Sequence, residues 1–345
     1  MKVMHVLNSR IYSGAEKVVC QIIHSFRDDP DMQMVYCSPD SQIVRDMLAQ
    51  QGVTYLPLKS MCISQLCRVI REQKPDLIHA HDMRAGFFSA LCCGSIPLVS
   101  HIHNNAYDAR GLSPKTLGYL LAGFRAKHIF WVSQSSFDGY AFHKLFAKKS
   151  SVLYNVIDTD EIFSKLRQDT NTYHYDLIYV GRLTFQKNPQ RLLRLCARLR
   201  ESKPDLQVAI VGIGELEAEL KALAGELHLE NTVHFLGFQS NPIKMVADSK
   251  AMILTSRWEG TPMCALEAMA LGTPVVSTPS DGMKDLLEDG VSGYLTDSDE
   301  QMAQDLLEIF NRPEHRRELA ENAGKKFAAM NDGDAYKKAI EASYR

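Results

Sequence analysis

The segment AMILTSRWEGTPMCALEAMALGTPVVS, Ala251 to Ser277, predicts a strand, a loop, a helix and a second strand in succession. Ala251–Thr255 is an apolar run with the length of a buried strand, and Val275–Ser277 is another. The residues between them, 262–271, are apolar almost throughout and predict a buried helix. A strand, a helix and a strand in this order are typical of a parallel sheet that helices cover.

The same alternation continues through most of the 345 residues. Further strands are predicted at Val3–Leu7, Gln33–Cys37, Leu77–His81, Pro97–His103, His128–Val132, Val152–Tyr154, Leu177–Gly181, Val208–Gly212 and Val233–Leu236. Further helices are predicted at Pro189–Leu199 and Glu215–Leu227, and an amphipathic one spans Ala15 to Phe26. The sequence therefore predicts an α/β protein with two doubly wound, Rossmann-like domains.

The apolar pattern lapses at 157–175, where polar residues crowd together, and we place the domain boundary there. The predicted units are an N-terminal domain at 1–160, a C-terminal domain at 161–330, and a final helix at 331–345 that packs back on the N-terminal domain. Open parallel sheets bind ligands at the carboxyl ends of their strands. We therefore expect the two domains to face each other across a cleft that holds the site.

Composition excludes several classes of protein. Hydrophobic residues make up 45% of the chain, and 39 basic side chains nearly balance 41 acidic ones, which argues against a nucleic-acid-binding protein. No apolar run is long enough to cross a bilayer, no signal peptide is evident, and the eight cysteines contain no C-x-x-C pair. We predict a soluble, cytoplasmic protein with reduced thiols.

The charge is nevertheless uneven, with +3 on residues 1–164 and −5 on the remainder. Basic side chains alternate with apolar ones around Lys115–Lys127 and Lys144–Lys149. This mixture is suited to an anionic membrane surface, although two amphipathic helices with solvated lysines explain it equally well.

The stretch EGTPMCALE, Glu259 to Glu267, carries the strongest chemical signal. Thr261 is suited to cap the following helix, and Pro262 to be its first residue. Glu267 is the only charged residue between Gly260 and Thr278, and a buried carboxylate is costly unless it is paired or hydrogen-bonded. Hydroxyls of a sugar or ribose would satisfy it. The alternative is an exposed Glu259 and a Glu267 paired with a core cation.

A second stretch, GRLTFQKNPQRLL, runs from Gly181 to Leu193. Arg182 and Lys187 follow a predicted strand, and Asn188–Pro189 opens a helix. Two cations beside a helix N-terminus suit a diphosphate, while the alternative is a solvated surface.

Glycines and histidines give weaker signals. Gly14 lies in the turn after the first strand, where a phosphate could approach the backbone, and Gly212 begins an incomplete G-x-G-x-x-G. The histidines His79, His81, His101 and His103 lie near the carboxyl ends of two strands. They are structural or line the cleft, and no Cys or carboxylate completes a zinc pattern.

Together these motifs resemble family 4 of the retaining glycosyltransferases, which have the GT-B fold. The resemblance rests on four motifs: E-x7-E with Glu259 and Glu267, the Gly181–Leu193 stretch, PLVSHIHN with His103, and VLYNVID at Val152–Asp158. It extends from Lys2 to about Met330. The first loop reads SGAE where many members have two glycines, and SDGMKD replaces a Gly-Gly-x-Pro-Glu run.

The resemblance implies a role for each matching position. Glu259 would hold donor-sugar hydroxyls, Glu267 the ribose hydroxyls, and His103 the donor sugar near the reacting carbon. Arg182 and Lys187 would neutralise the diphosphate. The remaining expected contacts are backbone or base contacts at Gly14, Gly212, Gly237, Phe238, Gly260, Thr261, Pro262 and Met263.

The implied activity is that of a metal-independent, retaining transferase of hexosyl type. It would move a sugar from a nucleotide diphosphate sugar, expected to be a UDP-sugar, to a glycan or lipid-linked acceptor in polysaccharide or glycoconjugate biosynthesis. No cofactor and no metal are expected, and the expected location of the protein is the cytoplasm, at the inner face of the cell membrane. The alternatives are a sugar-nucleotide epimerase or phosphorylase on the same fold, and a silent sugar-nucleotide-binding scaffold subunit.

Overall fold

The computed structural model describes residues 1–104 and 109–345. It divides into two compact units. The first unit comprises Met1–Asn155 together with Gly333–Arg345, and the second comprises Val156–Asp332. The chain therefore enters the second unit once and returns to the first for its last helix.

Each unit is built on a parallel sheet. The strands of the first are β1 (Lys2–Val6), β2 (Gln33–Pro39), β3 (Tyr55–Leu58), β4 (Leu77–Ala80), β5 (Leu98–Ile102), β6 (Ala126–Trp131) and β7 (Ser150–Val152). Those of the second are β8 (Leu177–Val180), β9 (Val208–Val211), β10 (Val233–Gly237), β11 (Ala251–Leu254), β12 (Val275–Ser277) and β13 (Tyr294–Leu295). Their orders are β3-β2-β1-β4-β5-β6-β7 and β10-β9-β8-β11-β12-β13.

Helices connect successive strands, and the last three helices follow β13. They are α1 (Gly14–Ser25), α2 (Gln42–Gln50), α3 (Ile63–Gln73), α4 (Met83–Cys92), α5 (Pro114–Arg125), α6 (Gln134–Asp138), α7 (His143–Phe146), α8 (Thr159–Gln168), α9 (Pro189–Ser202), α10 (Glu217–Glu226), α11 (Ile243–Asp248), α12 (Met263–Leu271), α13 (Asp281–Leu286), α14 (Asp299–Asn311), α15 (Pro313–Met330) and α16 (Gly333–Tyr344). Within the described ranges, no helix has both the length and the apolar composition needed to cross a bilayer.

In both sheets, the second and third strands are added on one side of the first strand and the later strands on its other side. The loops that follow the two strands at this switch point run to opposite sides, which leaves a crevice at the carboxyl end of the sheet. The predicted doubly wound α/β architecture is confirmed. Each sheet is buried under its helices, and each unit contains a cluster of buried apolar residues. All eight cysteines are free.

Four local predictions were wrong. Strands β3 and β13 were missed, because one is an edge strand that contains Pro57 and the other has only two residues. Strand β7 begins at Ser150, two residues before the predicted start. The polar segment at 157–175 contains α8, whose N-cap Asp158 accepts a hydrogen bond from the Glu161 N–H.

Candidate functional site

The second unit places Lys187 and Glu259 in a buried ion pair. Lys187 Nζ lies 2.5 Å from Glu259 Oε1, and the two side chains are 12% and 6% exposed. The Ser256 hydroxyl donates to the same carboxylate oxygen at 2.5 Å. Lys187 lies between β8 and α9, and Glu259 between β11 and α12, so the carboxyl ends of two adjacent strands deliver both residues.

Hydrogen bonds cross-link the two loops that carry this pair. The Arg257 N–H donates to the Gln186 carbonyl oxygen at 2.8 Å, and Gln186 Nε2 donates to the Trp258 carbonyl oxygen at 3.0 Å. The Arg257 guanidinium lies 4.3 Å from the centre of the Phe185 ring and donates to Asn188 Oδ1. The orientation of Lys187 toward Glu259 is therefore fixed by the backbone as well as by charge.

Asn188 precedes α9 as predicted, but its side chain does not cap the helix. The residue has φ 50°, in the left-handed region that asparagine tolerates better than most residues. Its side-chain oxygen accepts from Arg257 instead. The first turn of α9 therefore keeps its N-terminal dipole beside Lys187 without a side-chain cap from Asn188.

Arg182 lies in the same neighbourhood. Its carbonyl oxygen accepts a hydrogen bond from the buried Tyr179 hydroxyl at 2.9 Å, and its guanidinium approaches Gln186 Oε1 at 3.4 Å. Burial raises the pKa of Tyr179 well above its usual value, the nearby Glu259 and Cys264 raise it further, and Arg182 opposes them. Arg182 and Glu259 are thus both close enough to Tyr179 to change the pKa of its hydroxyl. The structure therefore brings together the predicted cations and the first glutamate.

Helix α12 begins at Met263, one residue later than predicted. Pro262 has ψ 121°, which is extended, and is therefore the N-cap rather than the first helical residue, and Thr261 precedes the cap. A proline cap has no side-chain oxygen, so it leaves the first N–H groups of the helix to other acceptors. Gly272 ends the helix at φ 72°, as predicted.

Gly260 is held by a close backbone contact with Gly282. A Cβ atom at Gly282 would lie 1.2 Å from the Gly260 carbonyl oxygen, so only glycine fits there. The Thr278 hydroxyl also donates to the Ser256 carbonyl oxygen at 2.6 Å. Through Gly282, the SDGMKD segment that departs from the family pattern therefore supports the loop that carries Glu259.

Glu267 is 3% exposed in the middle of α12, next to the fully buried Ala265, Leu266 and Ala268. The prediction that this carboxylate is buried is confirmed. It lies eight residues after Glu259 on a helix that the core surrounds on nearly every side. Its role toward a nucleotide stays a prediction.

Backbone conformation explains the glycine that follows β9 and the glycine that ends β10. A Cβ at Gly212 (φ 138°) would lie 1.9 Å from the Gly181 carbonyl oxygen, and the Gly212 N–H donates to the Gly237 carbonyl oxygen. Gly237 has φ 65° at a register shift of β10, and the half-buried Phe238 follows it. Ligand contacts at these positions stay predictions.

In the first unit, Gly14 is the first residue of α1. The N–H and the hydroxyl of Ser13 both donate to Glu16 Oε2 at 2.8 Å, and Glu16 is buried. A carboxylate of the protein itself therefore occupies part of this helix N-terminus. This arrangement weakens the expected approach of a phosphate at Gly14.

The first unit also gathers five histidines, one more than the sequence predicted, because His5 of β1 joins them. Each ring centre lies 4.1–5.6 Å from at least one other. Burial lowers the pKa of His5 and of His103 to about 3, and it lowers the pKa values of His79, His81 and His101 well below 6.5. All five rings are therefore neutral at pH 7.

Neutral imidazoles are potential metal ligands. Two overlapping groups, His5–His79–His81 and His81–His101–His103, each have ligand nitrogens within 4.8 Å of one another. Over the described ranges, these groups contain histidines only.

An apolar and basic surface, formed by α5, α7 and the residues next to them, lies on the first unit. Leu112, Leu117, Phe124 and Leu145 are 80%, 54%, 63% and 61% exposed. Exposed lysines accompany them at positions 115, 127, 144 and 148. Two members of the predicted basic group are engaged internally, because Lys149 Nζ donates to the carbonyl oxygens of Phe124 and Ala126, and Arg125 donates to that of Gly94.

Comparisons with known proteins agree with this architecture. Residues 12–161 match the family model described as Glycosyltransferase Family 4, and residues 158–326 match Glycosyl transferases group 1. The solved structure of HepE from Anabaena in complex with UDP-glucose superimposes with a TM-score of 0.84 at 23% identity, over 99% of each chain. This chain belongs to the GT-B glycosyltransferases.

Curated relatives of this GT-B glycosyltransferase match over part of their length. An uncharacterized glycosyltransferase of Methanocaldococcus jannaschii is 29% identical over 62% of this chain and 58% of its own. The N-acetylgalactosamine-N,N'-diacetylbacillosaminyl-diphospho-undecaprenol 4-alpha-N-acetylgalactosaminyltransferase of Campylobacter jejuni is 37% identical over 45% of this chain and 42% of its own. The chain thus spans about half the length of these relatives.

Several residues of the candidate site escaped sequence reasoning. Ser256 donates to Glu259 from three positions upstream, and Gln186 joins the two loops. A serine or glutamine in a loop has no distinctive pattern, so no sequence signal marked either. His5 was detectable, because it lies within an apolar strand as His79 does and is opposite His79 in the parallel pairing of β1 and β4.

Proposed function

We propose that this chain is a retaining, metal-independent glycosyltransferase of hexosyl type. It would transfer a sugar from a UDP-sugar to a glycan or lipid-linked acceptor in polysaccharide or glycoconjugate biosynthesis. The observation that carries the proposal is the buried Lys187–Glu259 pair with Arg182 beside it, at the carboxyl ends of β8 and β11. Support comes from HepE, solved with UDP-glucose, and from the Campylobacter enzyme named as an N-acetylgalactosaminyltransferase.

The second unit would hold the donor. Lys187 and Arg182 would neutralise the diphosphate, and the Met263 N–H at the start of α12 would add a donor to its oxygens. Among the described residues, both side-chain hydrogen bonds to Glu259 fall on Oε1, which leaves Oε2 to accept from sugar hydroxyls. Glu267 would accept from the ribose hydroxyls, and His103 of the first unit would contact the donor sugar.

The chemistry follows from where charge develops. As the anomeric bond stretches, negative charge builds on the departing diphosphate, and each pre-positioned donor lowers the barrier by about 2.7–4 kcal/mol. The departing phosphate would take the proton of the acceptor hydroxyl on the same face of the sugar, so no dedicated general base is required and configuration is retained.

Metal independence rests on this pair of fixed cations. Two Asp-x-Asp spacings of the kind that metal-dependent transferases use lie in the second unit, Asp158–Asp160 and Asp297–Asp299. Asp297 and Asp299 are ion-paired with Arg191, at 2.6 and 2.5 Å, and Asp158 caps α8. We expect activity to persist in EDTA. Complete loss of activity in EDTA that added metal restores would contradict the charge-stabilisation account.

A screen of donor hydrolysis across UDP-, GDP- and ADP-sugars tests the function. We expect turnover of UDP-sugars, loss of turnover in Lys187→Met, and weaker donor binding in Glu267→Gln. Unchanged donor affinity and turnover in Glu267→Gln would contradict its ribose role. Conversion of the donor to an isomer without acceptor would indicate an epimerase, and binding of the donor without any turnover would indicate a scaffold subunit.

We further propose that the α5–α7 surface meets an anionic membrane. Exposed leucines and Phe124 would insert between headgroups while the lysines meet their phosphates. Sedimentation with phosphatidylcholine vesicles, with and without phosphatidylglycerol, tests this contact. We expect binding to the anionic vesicles only, and a several-fold loss in Phe124→Ser/Leu145→Ser. The matched control Ile63→Ser removes an equally apolar side chain, 48% exposed, from α3. Equal binding by both variants would contradict the proposal.

A further inference from the structure

Two half-buried cysteines lie where α3 packs against α4 in the first unit. Cys67 lies in α3, one turn after Ile63, and Cys92 is the last residue of α4. The chain passes from α3 to α4 through β4. The two thiols therefore belong to segments that are separate in sequence and neighbours in the fold.

Contacts of Cys92 place its sulfur beside Cys67. Cys92 Sγ lies 3.6 Å from the Ile63 carbonyl oxygen. In an α-helix this oxygen also accepts from the N–H four residues later, which is that of Cys67. The Cys92 thiol is hydrogen-bonded both to the Cys67 side chain and to the Cys67 N–H. The sulfur atoms of Cys67 and Cys92 are therefore in contact across the two helices.

The cysteines next to this pair have contacts of their own. Cys93 is buried, and its sulfur donates to the Ala90 carbonyl oxygen and accepts from the Arg125 guanidinium at 3.3 Å. Cys62, the N-cap residue of α3, has its sulfur 3.4 Å from the Ser64 hydroxyl. Cys62 is also half-buried, so it is a matched thiol on the same helix.

The two sulfurs of the pair differ in reactivity. Burial, the hydrogen bond with Cys67 and the charge of a Cys67 thiolate raise the pKa of Cys92 to about 12. Cys92 therefore keeps its proton at pH 7, and Cys67 is the sulfur that attacks an oxidant first, because the thiolate is the nucleophile. Once Cys67 has become a neutral sulfenic acid, its charge no longer opposes the ionisation of Cys92.

We propose that Cys67 and Cys92 form a reversible disulfide that joins α3 to α4 when the protein meets a peroxide. The Cys67 sulfur attacks a peroxide oxygen, the O–O bond breaks, and hydroxide leaves, which converts Cys67 to a sulfenic acid. The Cys92 sulfur then attacks the Cys67 sulfur, the S–O bond breaks, and a second hydroxide leaves. Both hydroxides take up thiol protons, so two thiols and hydrogen peroxide give one disulfide and two water molecules.

Peptide mapping of the full chain tests the cross-link. The folded protein is treated with hydrogen peroxide, its remaining thiols are blocked with a maleimide in denaturant, and it is digested with trypsin without reductant. We expect the peptide of residues 60–68 to be joined to the peptide that contains Cys92, and dithiothreitol to separate them. Absence of the joined peptides from the treated wild-type protein would overturn the proposal.

Variants assign the bond, because residues 60–68 contain both Cys62 and Cys67. The matched control Cys62→Ser is expected to keep the cross-link, whereas Cys67→Ser and Cys92→Ser are each expected to lose it. Reduced Cys67→Ser and Cys92→Ser are expected to unfold in urea close to the wild-type midpoint, which shows that they fold. A cross-link that persists in Cys67→Ser, or that disappears in Cys62→Ser, would overturn the proposed pairing.

Stability tests whether the folded protein holds the two thiols ready to join, and no substrate is needed. A disulfide that fits the native structure stabilises it by restricting the unfolded chain, here between residues 67 and 92. Fluorescence of Trp131 in a Trp258→Phe protein follows the first unit. We expect peroxide to raise the urea midpoint, dithiothreitol to reverse the rise, and Cys67→Ser to show no rise. A cross-linked protein with a lower midpoint than the reduced one would overturn the proposal, because the bond would then distort the native contact.

Discussion

Lys187 and Glu259 depend on each other, because both charges are largely withdrawn from water. Removing one partner leaves the other charge buried and uncompensated, at a cost of about 3–5 kcal/mol. We expect Lys187→Met and Glu259→Gln each to lower the free energy of unfolding of the second unit, and the double variant to lower it by clearly less than the sum. Urea unfolding of the four proteins measures this. Additive effects would show that the two side chains do not interact.

Gly282 provides a second test at the residue scale. A methyl group there would overlap the Gly260 carbonyl oxygen, so Gly282→Ala must push the loop of Glu259 away. We expect about 1–3 kcal/mol of destabilisation, together with weaker donor binding. The control is Gly324→Ala in α15, where a Cβ meets nothing within 4 Å and helix propensity predicts a gain of up to about 1 kcal/mol. A Gly282→Ala protein as stable as wild type would contradict the contact.

The sequence predicted the charged residues of the candidate site better than the residues that hold them in place. Glu259, Lys187 and Arg182 stand out because each is a charge beside an apolar strand or helix, and their proximity follows from parallel strands ending at one edge. Gly282 and Ser256 act through contacts that a single sequence does not show. A close backbone approach between segments 22 residues apart leaves no pattern of its own.

Among the elements, α16 is joined to the first sheet by a polar contact. The Tyr344 hydroxyl hydrogen-bonds His79 where both side chains are buried, so Tyr344→Phe leaves an imidazole nitrogen without its partner. We expect a loss of about 1–3 kcal/mol in the stability of the first unit.

Tyr336→Phe is the matched control on the same helix. Its hydroxyl is buried with no hydrogen-bond partner in the described part of the chain, so removing it is expected to cost nothing or to stabilise slightly. Thermal unfolding of both variants distinguishes the two tyrosines. Equal losses would show that α16 is held by packing alone.

Edge elements were harder to predict than central ones. The central strands are continuous apolar runs because both faces are covered, and their positions were predicted within one or two residues. The edge strands β3, β7 and β13 are short or interrupted by polar residues and proline, so their apolar signal is weak. Helix α8 was missed for a similar reason, since Ile162 is its only fully buried residue.

At the scale of the whole molecule, the histidine cluster makes the first unit sensitive to acid. The pKa of His5 and that of His103 fall from 6.5 to about 3 on folding, because burial disfavours the charged ring. Below pH 6.5 the unfolded chain therefore binds protons that the folded unit excludes. The free energy of unfolding is expected to fall as the pH drops from 6.5 toward 3, by up to about 1.4 kcal/mol per pH unit for each such histidine.

The two tryptophans allow this loss to be assigned to one unit. Trp131 lies in the first unit and Trp258 in the second, so fluorescence of a Trp258→Phe protein reports on the first unit alone. Urea unfolding at pH 7.5, 6.0 and 5.0 is expected to show steadily decreasing stability.

In His101→Leu the decrease should be shallower, because that ring is buried and makes no hydrogen bond to the described residues. His174→Leu, which alters an exposed histidine of the second unit, should leave the slope unchanged. A first unit equally stable at all three pH values would mean that the five rings are protonated, or reached by water, in the folded protein.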